Sequence, residues 1–417
     1  MLLVIMVSVS TSDAQKGRRT MPRAVIVDAL RSPMGRGKPG GALSGVHPVD
    51  LLAQVLTALV ARNDLDPGLI DDVLVGCVGQ NGEQSATPGR QAVLAAGWPE
   101  HVPSVTIERK CGSGQQALDF AVQGVIAGAY DIAVAAGIES MSRVPMGSAR
   151  GDADPHGPAV LARYALGLVP QGISAELVAE KWSLSRQALD EFAVRSHRRA
   201  AGAAGSGAFD RELVSITTPG GLVDRDETIR AGSTLEQLSR LKPAFAASPH
   251  APRFPDLEWK ITAGNSSQLT DGAAALLVMS EQRAAALGLT PRARVVASAL
   301  TGDDPVLMLT GPIPATQRVV ERSGISIDEI AAFEVNEAFA SVPLAWQAEF
   351  GVGDEQLNPR GGAIALGHPL GASGARLATT LICHLEDTGQ RYGLQTMCEA
   401  GGMANALILE NLNHKGG

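Results

Sequence analysis

The chain has 417 residues, and at about 150 residues per domain this predicts two or three domains with room for a sizeable core. Its 35 Lys and Arg against 43 Asp and Glu give a net charge of −8, which offers no basic excess for a polyanion and argues against a nucleic-acid partner. Four cysteines, none spaced C-x-x-C, exclude a disulfide scaffold and the usual zinc and thiol-redox signatures, so a reducing, cytoplasmic setting is expected; the 47 glycines point to many tight turns or close backbone approaches.

The opening run MLLVIMVSVS has no positive residue before it and is shorter than the roughly 20 residues of a membrane span. Residues 1–20 therefore read as a disordered extension or an over-long start, with the folded chain beginning at Met21. No later stretch reaches the length of an apolar span, so a soluble protein without membrane insertion is expected.

From Met21 onward, short β-branched runs alternate with Ala/Leu-rich helical stretches, the pattern of an α/β fold with strands buried on both faces. AVIVDAL is a strand, His47 to Ala61 a helix with Pro48 just inside its start, and IDDVLVGCV a strand again. Cys111 then stands in K-C-G-S-G-Q-Q-A-L, at the start of a helix running to about Gly128. A thiol there feels the positive end of the helix dipole, which favours the thiolate; plain burial is the competing reading.

From about 142 to 255 the texture becomes more charged and richer in Gly, Ala and Pro, as in an insertion lying over a core. Two helices are predicted inside it, ISAELVAEKW and SRQALDEFAVRSHRRAA, the second with Ser185 as N-cap and basic residues toward its C-terminus. Beyond the insertion the sequence repeats itself. Pro291 to Leu300 (PRARVVASAL) resembles Pro22 to Leu30, and Ile327 to Glu334 (IDEIAAFE) resembles Ile70 to Cys77, which predicts a duplicated half-domain.

The C-terminal half supplies further reactive groups. Asn336, in E-V-N-E-A-F-A, is a polar residue at a strand end or a helix cap. His368 sits among Gly361, Gly362, Gly367, Gly371 and Gly374, where substrate can touch backbone, and is the natural base for a cysteine nucleophile. Cys398, in T-M-C-E-A-G-G, lies at the carboxyl end of a strand, where α/β sheets place their sites. Cys77 and Cys383 sit in apolar segments and read as packing residues, and the remaining histidines form no local metal-ligand spacing.

Together, C-G-S-G at Cys111, G-I-E-S-M-S at Gly137, T-A-G-N-S-S-Q-L-T-D-G at Thr262, N-E-A-F-A at Asn336, G-G-A-I-A-L-G-H-P-L-G-A-S-G at Gly361 and M-C-E-A-G-G at Met397 resemble the thiolase family. The resemblance runs from about Arg23 to Leu412 and implies a homodimer or homotetramer of duplicated α/β halves in a five-layered α-β-α-β-α core, 21–282 and 290–413, with 142–255 as a loop domain that binds coenzyme A. It implies thiolytic cleavage of a 3-oxoacyl-CoA by CoA, with no permanently bound cofactor and no metal. Cys111 would be the acylated nucleophile, His368 its activator, Cys398 the acid/base at the acetyl α-carbon, and Asn336 the holder of an oxyanion-hole water. The backbone of Cys111 and Ala400 would form the second oxyanion hole; Arg230, Ala263, Ser267, Ala338 and Phe339 would contact CoA.

Two departures from the family pattern stand out. Many members read C-I-G-G-G where this chain has C-E-A-G-G, so Ala400 replaces a glycine and is strained if the site needs positive φ, and Glu399 adds a charge beside a reactive thiol. Pro170 in G-L-V-P-Q-G-I-S replaces a histidine frequent in short-chain biosynthetic members and leans the reading toward degradation. The alternatives are condensation of two acetyl-CoA, a non-catalytic acyl-CoA or lipid-binding protein on the same fold, and a decarboxylating ketosynthase. The last two leave one or more of Cys111, His368 and Cys398 without a purpose.

Overall fold

A computed structural model describes residues 22–151 and 153–414; the expectation for residues 1–20 lies outside the described residues. The first half runs β1 (Ala24–Arg31), α1 (Pro48–Arg62), β2 (Asp72–Gly76), α2 (Pro88–Ala95), β3 (Ser104–Ile107), α3 (Ser113–Ala127) and β4 (Ile132–Ser140). The intervening segment carries α4 (Gln171–Lys181) and α5 (Arg186–Gly205), and β5 (Thr270–Ser280) completes the half. The second half runs β6 (Ala293–Gly302), α6 (Pro312–Ser323), β7 (Ala332–Val335), α7 (Ser341–Phe350), α8 (Leu370–Thr388), β8 (Tyr392–Glu399) and β9 (Met403–Asn411).

The strand orders show the duplication directly. The first half reads β3-β2-β4-β5-β1 and the second β7-β8-β9-β6, joined through the single pair Ile26 and Ala293. In the first half β3 with β2 and β2 with β4 are parallel, in the second β7 with β8, and the next two neighbours in each half are antiparallel. The counterpart of β3 is reduced to one parallel bridge, Phe333 to Leu357.

The register corrects one sequence match. Ile70 closes a one-turn 3-10 helix at Pro67–Leu69 and Ile330 closes one at Ile327–Glu329, so Ile70 corresponds to Ile330 and not to Ile327. The repeated Ile-Asp pair misled the alignment because the turn before each strand is built from different residues.

Packing gives five layers. On one outer face α1 and α2 pack Leu51, Leu56 and Val93 against Val73 and Val75. On the other, Ala315, Val319 and Trp346 of α6 and α7 meet Phe333 and Ile408, joined by Val178 and Phe192 of α4 and α5. Between the sheets lie α3 and α8, whose Ala117, Ala121, Ala375 and Leu381 fill the space between Leu74, Leu276, Leu407 and Leu409. These two helices touch through backbone: a Cβ on Gly374 would fall 2.1 Å from the Gln115 nitrogen, and one on Gly114 would fall 2.7 Å from the Gly371 carbonyl oxygen. The crossing lies in the first turns of both helices, so their N-terminal ends are side by side.

In the insertion, Ser185 Oγ caps α5 by accepting from the Ala188 N–H at 3.1 Å, as its sequence predicts. The helix runs on to Gly205, however, so His197, Arg198 and Arg199 sit mid-helix with no basic residue in the last turn. Arg199 instead donates to the carbonyls of Leu357 (2.6 Å) and Asp354 (2.7 Å), fastening the insertion to the second half.

Candidate active site

Cys111 lies in the tight turn between β3 and α3. Lys110, immediately before it, adopts φ 47°, a left-handed conformation that costs a non-glycine residue on the order of 1–3 kcal/mol. Ser113 holds the turn closed, its Oγ donating to the Lys110 carbonyl (2.6 Å) and accepting from the Arg109 N–H (2.8 Å). The thiol is buried, and burial, reinforced by the charge of Glu399, pushes its pKa up to about 12 against a lowering influence from the Gln171 amide beside it. This reverses the sequence expectation of a lowered pKa. A helix terminus contributes at most about 2 kcal/mol, some 1.5 pKa units, and desolvation of a fully buried thiolate is larger.

His368 stands two residues before α8, in the place of the second half that Cys111 occupies in the first. Its backbone N–H donates to Thr270 Oγ1 at 2.9 Å, and its Nδ1 lies 2.5 Å from Ser373 Oγ. The Ser373 hydroxyl donates to the Pro369 carbonyl (2.9 Å), so its oxygen is left to accept the His368 Nδ1–H. The proton is thereby placed on Nδ1 and Nε2 keeps a free lone pair, toward which the Asn336 Nδ2 amide points at 3.4 Å. Burial, followed by the charge of Arg376, pushes the imidazole pKa down to about 3. Thiol and imidazole are therefore both neutral at rest.

Cys398 is the penultimate residue of β8, fully buried, and its pKa is raised well above the ordinary thiol value by burial and then by the charge that Cys111, within electrostatic reach, carries once ionised. Asn336 follows β7 directly and is no helix cap, since α7 begins at Ser341; its buried Oδ1 has no partner among the described residues. Cys77 and Cys383 are buried elsewhere, Cys383 in α8 within 3.3 Å of Arg292 Nη2. Among the described residues no His, Cys, Asp or Glu cluster could hold a metal ion.

Two cavities meet at Cys111. The narrower, about 290 Å³, is lined by Cys111 and His368 together with Ala263, Ser267, Ala338 and Phe339. Its walls are tied by the Ser267 N–H donating to the Ala338 carbonyl (3.0 Å), and Phe245 meets Phe339 edge-on at 6.1 Å. Arg230 lies outside this lining, exposed, its Nη2 donating to Oε1 of Gln268 (3.1 Å), which does line it. The wider cavity, about 890 Å³, continues past Met141, Met146, Gln171 and Leu370 to Ala400. Left-handed backbone falls on Gly401 and Gly402 (φ 93° and 76°), so Ala400 bears none of the strain its sequence position suggested.

Sequence reasoning placed Cys111, His368, Cys398 and Asn336 in one neighbourhood, and four of the five CoA candidates line its entrance. It missed Ser373, Gln171 and Phe245. Only Ser373 carried a readable signal, as the one hydroxyl in the first turn after His368.

The family described as "Thiolase, N-terminal domain" matches residues 24–282, and "Thiolase, C-terminal domain" matches residues 289–411. A steroid 3-ketoacyl-CoA thiolase of Mycobacterium tuberculosis is 44% identical over 400 residues, covering 94% of this chain and 95% of its own length. A beta-ketoadipyl-CoA thiolase of Escherichia coli is 45% identical over 413 residues, covering 94% of this chain and 100% of its own. The crystal structure of an acetyl-CoA acetyltransferase of Bacillus anthracis matches with a TM-score of 0.84 at 37% identity, over 95% of this chain and 100% of that one.

Proposed function

The chain belongs to the thiolase family, and on that footing we propose that it is a degradative acyltransferase cleaving 3-oxoacyl-CoA with CoA through an acyl-Cys111 intermediate. The observation carrying this reading is the pairing of Cys111 with His368 in one narrow cavity, with the His368 tautomer fixed by Ser373 so that Nε2 is a base. Because both groups rest neutral, His368 takes the thiol proton as sulfur attacks, not beforehand.

Cys111 sulfur adds to the 3-oxo carbon; the C2–C3 bond then breaks, its electron pair passing to an acetyl-CoA enolate and leaving the shortened acyl group as a thioester on Cys111. Cys398 supplies the proton to C2, a role suited to a thiol whose raised pKa keeps it protonated until the enolate forms. Cys398 regains its proton from the His368 imidazolium; a second CoA thiol then attacks the acyl-Cys111 thioester, its proton passing through His368 to the departing Cys111 sulfur. Asn336 with His368 stabilises the enolate oxygen through a held water, and the backbone N–H groups of Cys111 and Ala400 stabilise the thioester oxygen.

The narrow cavity suits a pantetheine arm between Ala263 and Ser267 on one wall and Ala338 and Phe339 on the other, with Arg230 outside toward the nucleotide. CoA is thus a substrate and no resident cofactor is required. The wider space beyond Cys111 supports an acyl group larger than acetyl, which favours cleavage over condensation of two acetyl-CoA. We assign 21–282 and 290–413 as the two halves with 142–255 as the CoA-binding insertion, in a cytoplasmic homodimer or homotetramer. The test is Cys111→Ser with acetyl-CoA: the wild type should gain an acetyl mass that the variant lacks, and equal labelling of both would remove the nucleophile assignment.

A further inference from the structure

Two buried glutamates occupy equivalent places in the two halves. Val75 pairs with Ala136 across β2 and β4, and Val335 pairs with Thr396 across β7 and β8; carried to the strand ends, this register makes Glu139 the counterpart of Glu399. Each lies against the first turn of a central helix, but their surroundings differ. Glu139 accepts from the backbone N–H of Gly371 in α8 (2.9 Å), from Val78 N–H (3.0 Å) and Gly79 N–H (2.9 Å), and from Gln84 Nε2 (2.8 Å). Glu399 sits so close to the start of α3 that a Cβ on Gly112 would fall 1.9 Å from its Oε1. It is fully buried, and neither oxygen has a hydrogen-bond donor among the described residues.

A buried carboxyl without donors favours its neutral form, because ionisation there is compensated by neither water nor protein N–H. The groups facing Glu399 do not remove that preference. Arg109, from the turn before α3, favours the carboxylate; Asp119, from α3, opposes it; burial outweighs both and pushes Glu399 up to about 8. Asn405, from β9, spends its Nδ2 on the Gly112 carbonyl (3.1 Å), and the two reactive thiols complete the surroundings.

We propose that Glu399 is a positioning residue for Cys111: as a neutral acid it lets the thiol pass its proton to His368, and as a carboxylate it holds that proton on sulfur by like-charge repulsion. The turn bearing His368 thus rests on a glutamate met by four donors, and the turn bearing Cys111 on one met by none among the described residues. The inference rests on Cys111 being the nucleophile.

The test measures, from about pH 6 to about pH 10, the rate of Cys111 alkylation by iodoacetamide, mapped by peptide mass spectrometry, beside kcat/KM, in the wild type, Glu399→Gln and Asp119→Asn. The wild-type rate should break to a shallower slope as Glu399 ionises. Glu399→Gln should lose the break and react about tenfold faster above it, the effect of one pKa unit at the thiol. Asp119→Asn should move the break to lower pH, because Glu399 loses a like-charged neighbour, and it carries the test alone if the glutamine variant does not fold. A purely structural role would move neither break. Superimposable profiles with the adduct at Cys111 would overturn this inference alone; absence of a wild-type adduct at Cys111 would overturn the nucleophile assignment and this inference with it.

Discussion

Replacing Ser373 by alanine removes the only acceptor held against His368 Nδ1 among the described residues and tests whether that contact makes the histidine a base. The hydroxyl lies 2.5 Å from Nδ1, is itself fixed by donation to the Pro369 carbonyl, and is fully buried, so no bulk water replaces it. A buried donor left without its partner costs about 1–3 kcal/mol. That cost grows as the imidazole takes the Cys111 proton and its Nδ1–H becomes a stronger donor, so it falls on the transition state more than on the ground state. An increment of 1.4–2.8 kcal/mol corresponds to a fall of roughly 10- to 100-fold in kcat/KM. Ser373 lines neither cavity, so KM should change little. The assay is thiolysis of a 3-oxoacyl-CoA at saturating CoA, beside single-turnover acylation of Cys111. Thr379→Ala is the control: it removes another buried hydroxyl from the same helix, one bonded to the Ala375 carbonyl (2.8 Å), and should lower stability while leaving kcat alone. A Ser373→Ala enzyme acylating within twofold of the wild-type rate would refute the tautomer argument.

The other expectations divide the chemistry. Cys398→Ala should still become acylated at Cys111 from acetyl-CoA yet lose cleavage and condensation; near-normal turnover would refute the acid/base role. Asn336→Ala should reduce kcat about 100-fold with acylation by acetyl-CoA less affected, the loss typical of one oxyanion-hole donor, and an unchanged kcat would remove it from the site. Gly137→Ala places a Cβ 2.2 Å from the Gly371 carbonyl oxygen, where β4 meets α8, so thermal unfolding should show at least 1–3 kcal/mol of destabilisation; an unaltered Tm would mean the helix start is less tightly seated than the packing indicates.

Much of this was readable without coordinates because the groups concerned are chemically unusual where they stand. A histidine among five glycines, and cysteines at the ends of strand-like runs, are poor choices for packing, and the structure does gather His368, Cys111 and Cys398 at the two central helix starts. The alternation of apolar runs likewise predicted the α/β class, and the recurrence of Pro22–Leu30 at Pro291–Leu300 its duplication. What escaped depends on distance and burial. Ser373 stands out only as the one hydroxyl in the turn after His368, and its role appears when α8 turns that hydroxyl back onto the imidazole. The direction of the Cys111 pKa was missed because a helix N-terminus is visible in sequence and desolvation is not. The two Ile-Asp pairs misled the repeat alignment because identical letters fall on different positions of the turn and strand. Glu399 could be named as an added charge, but that it presses on Gly112 without a donor follows only from the close approach of β8 and α3.

The most direct test of the account is to quench Cys398→Ala after mixing with acetyl-CoA and to map the acyl adduct among the four cysteines by peptide mass spectrometry. The adduct should sit on Cys111 alone, stable in that variant until CoA is added and absent from Cys111→Ser. An adduct on Cys77 or Cys383, or acylation that persists without Cys111, would contradict it.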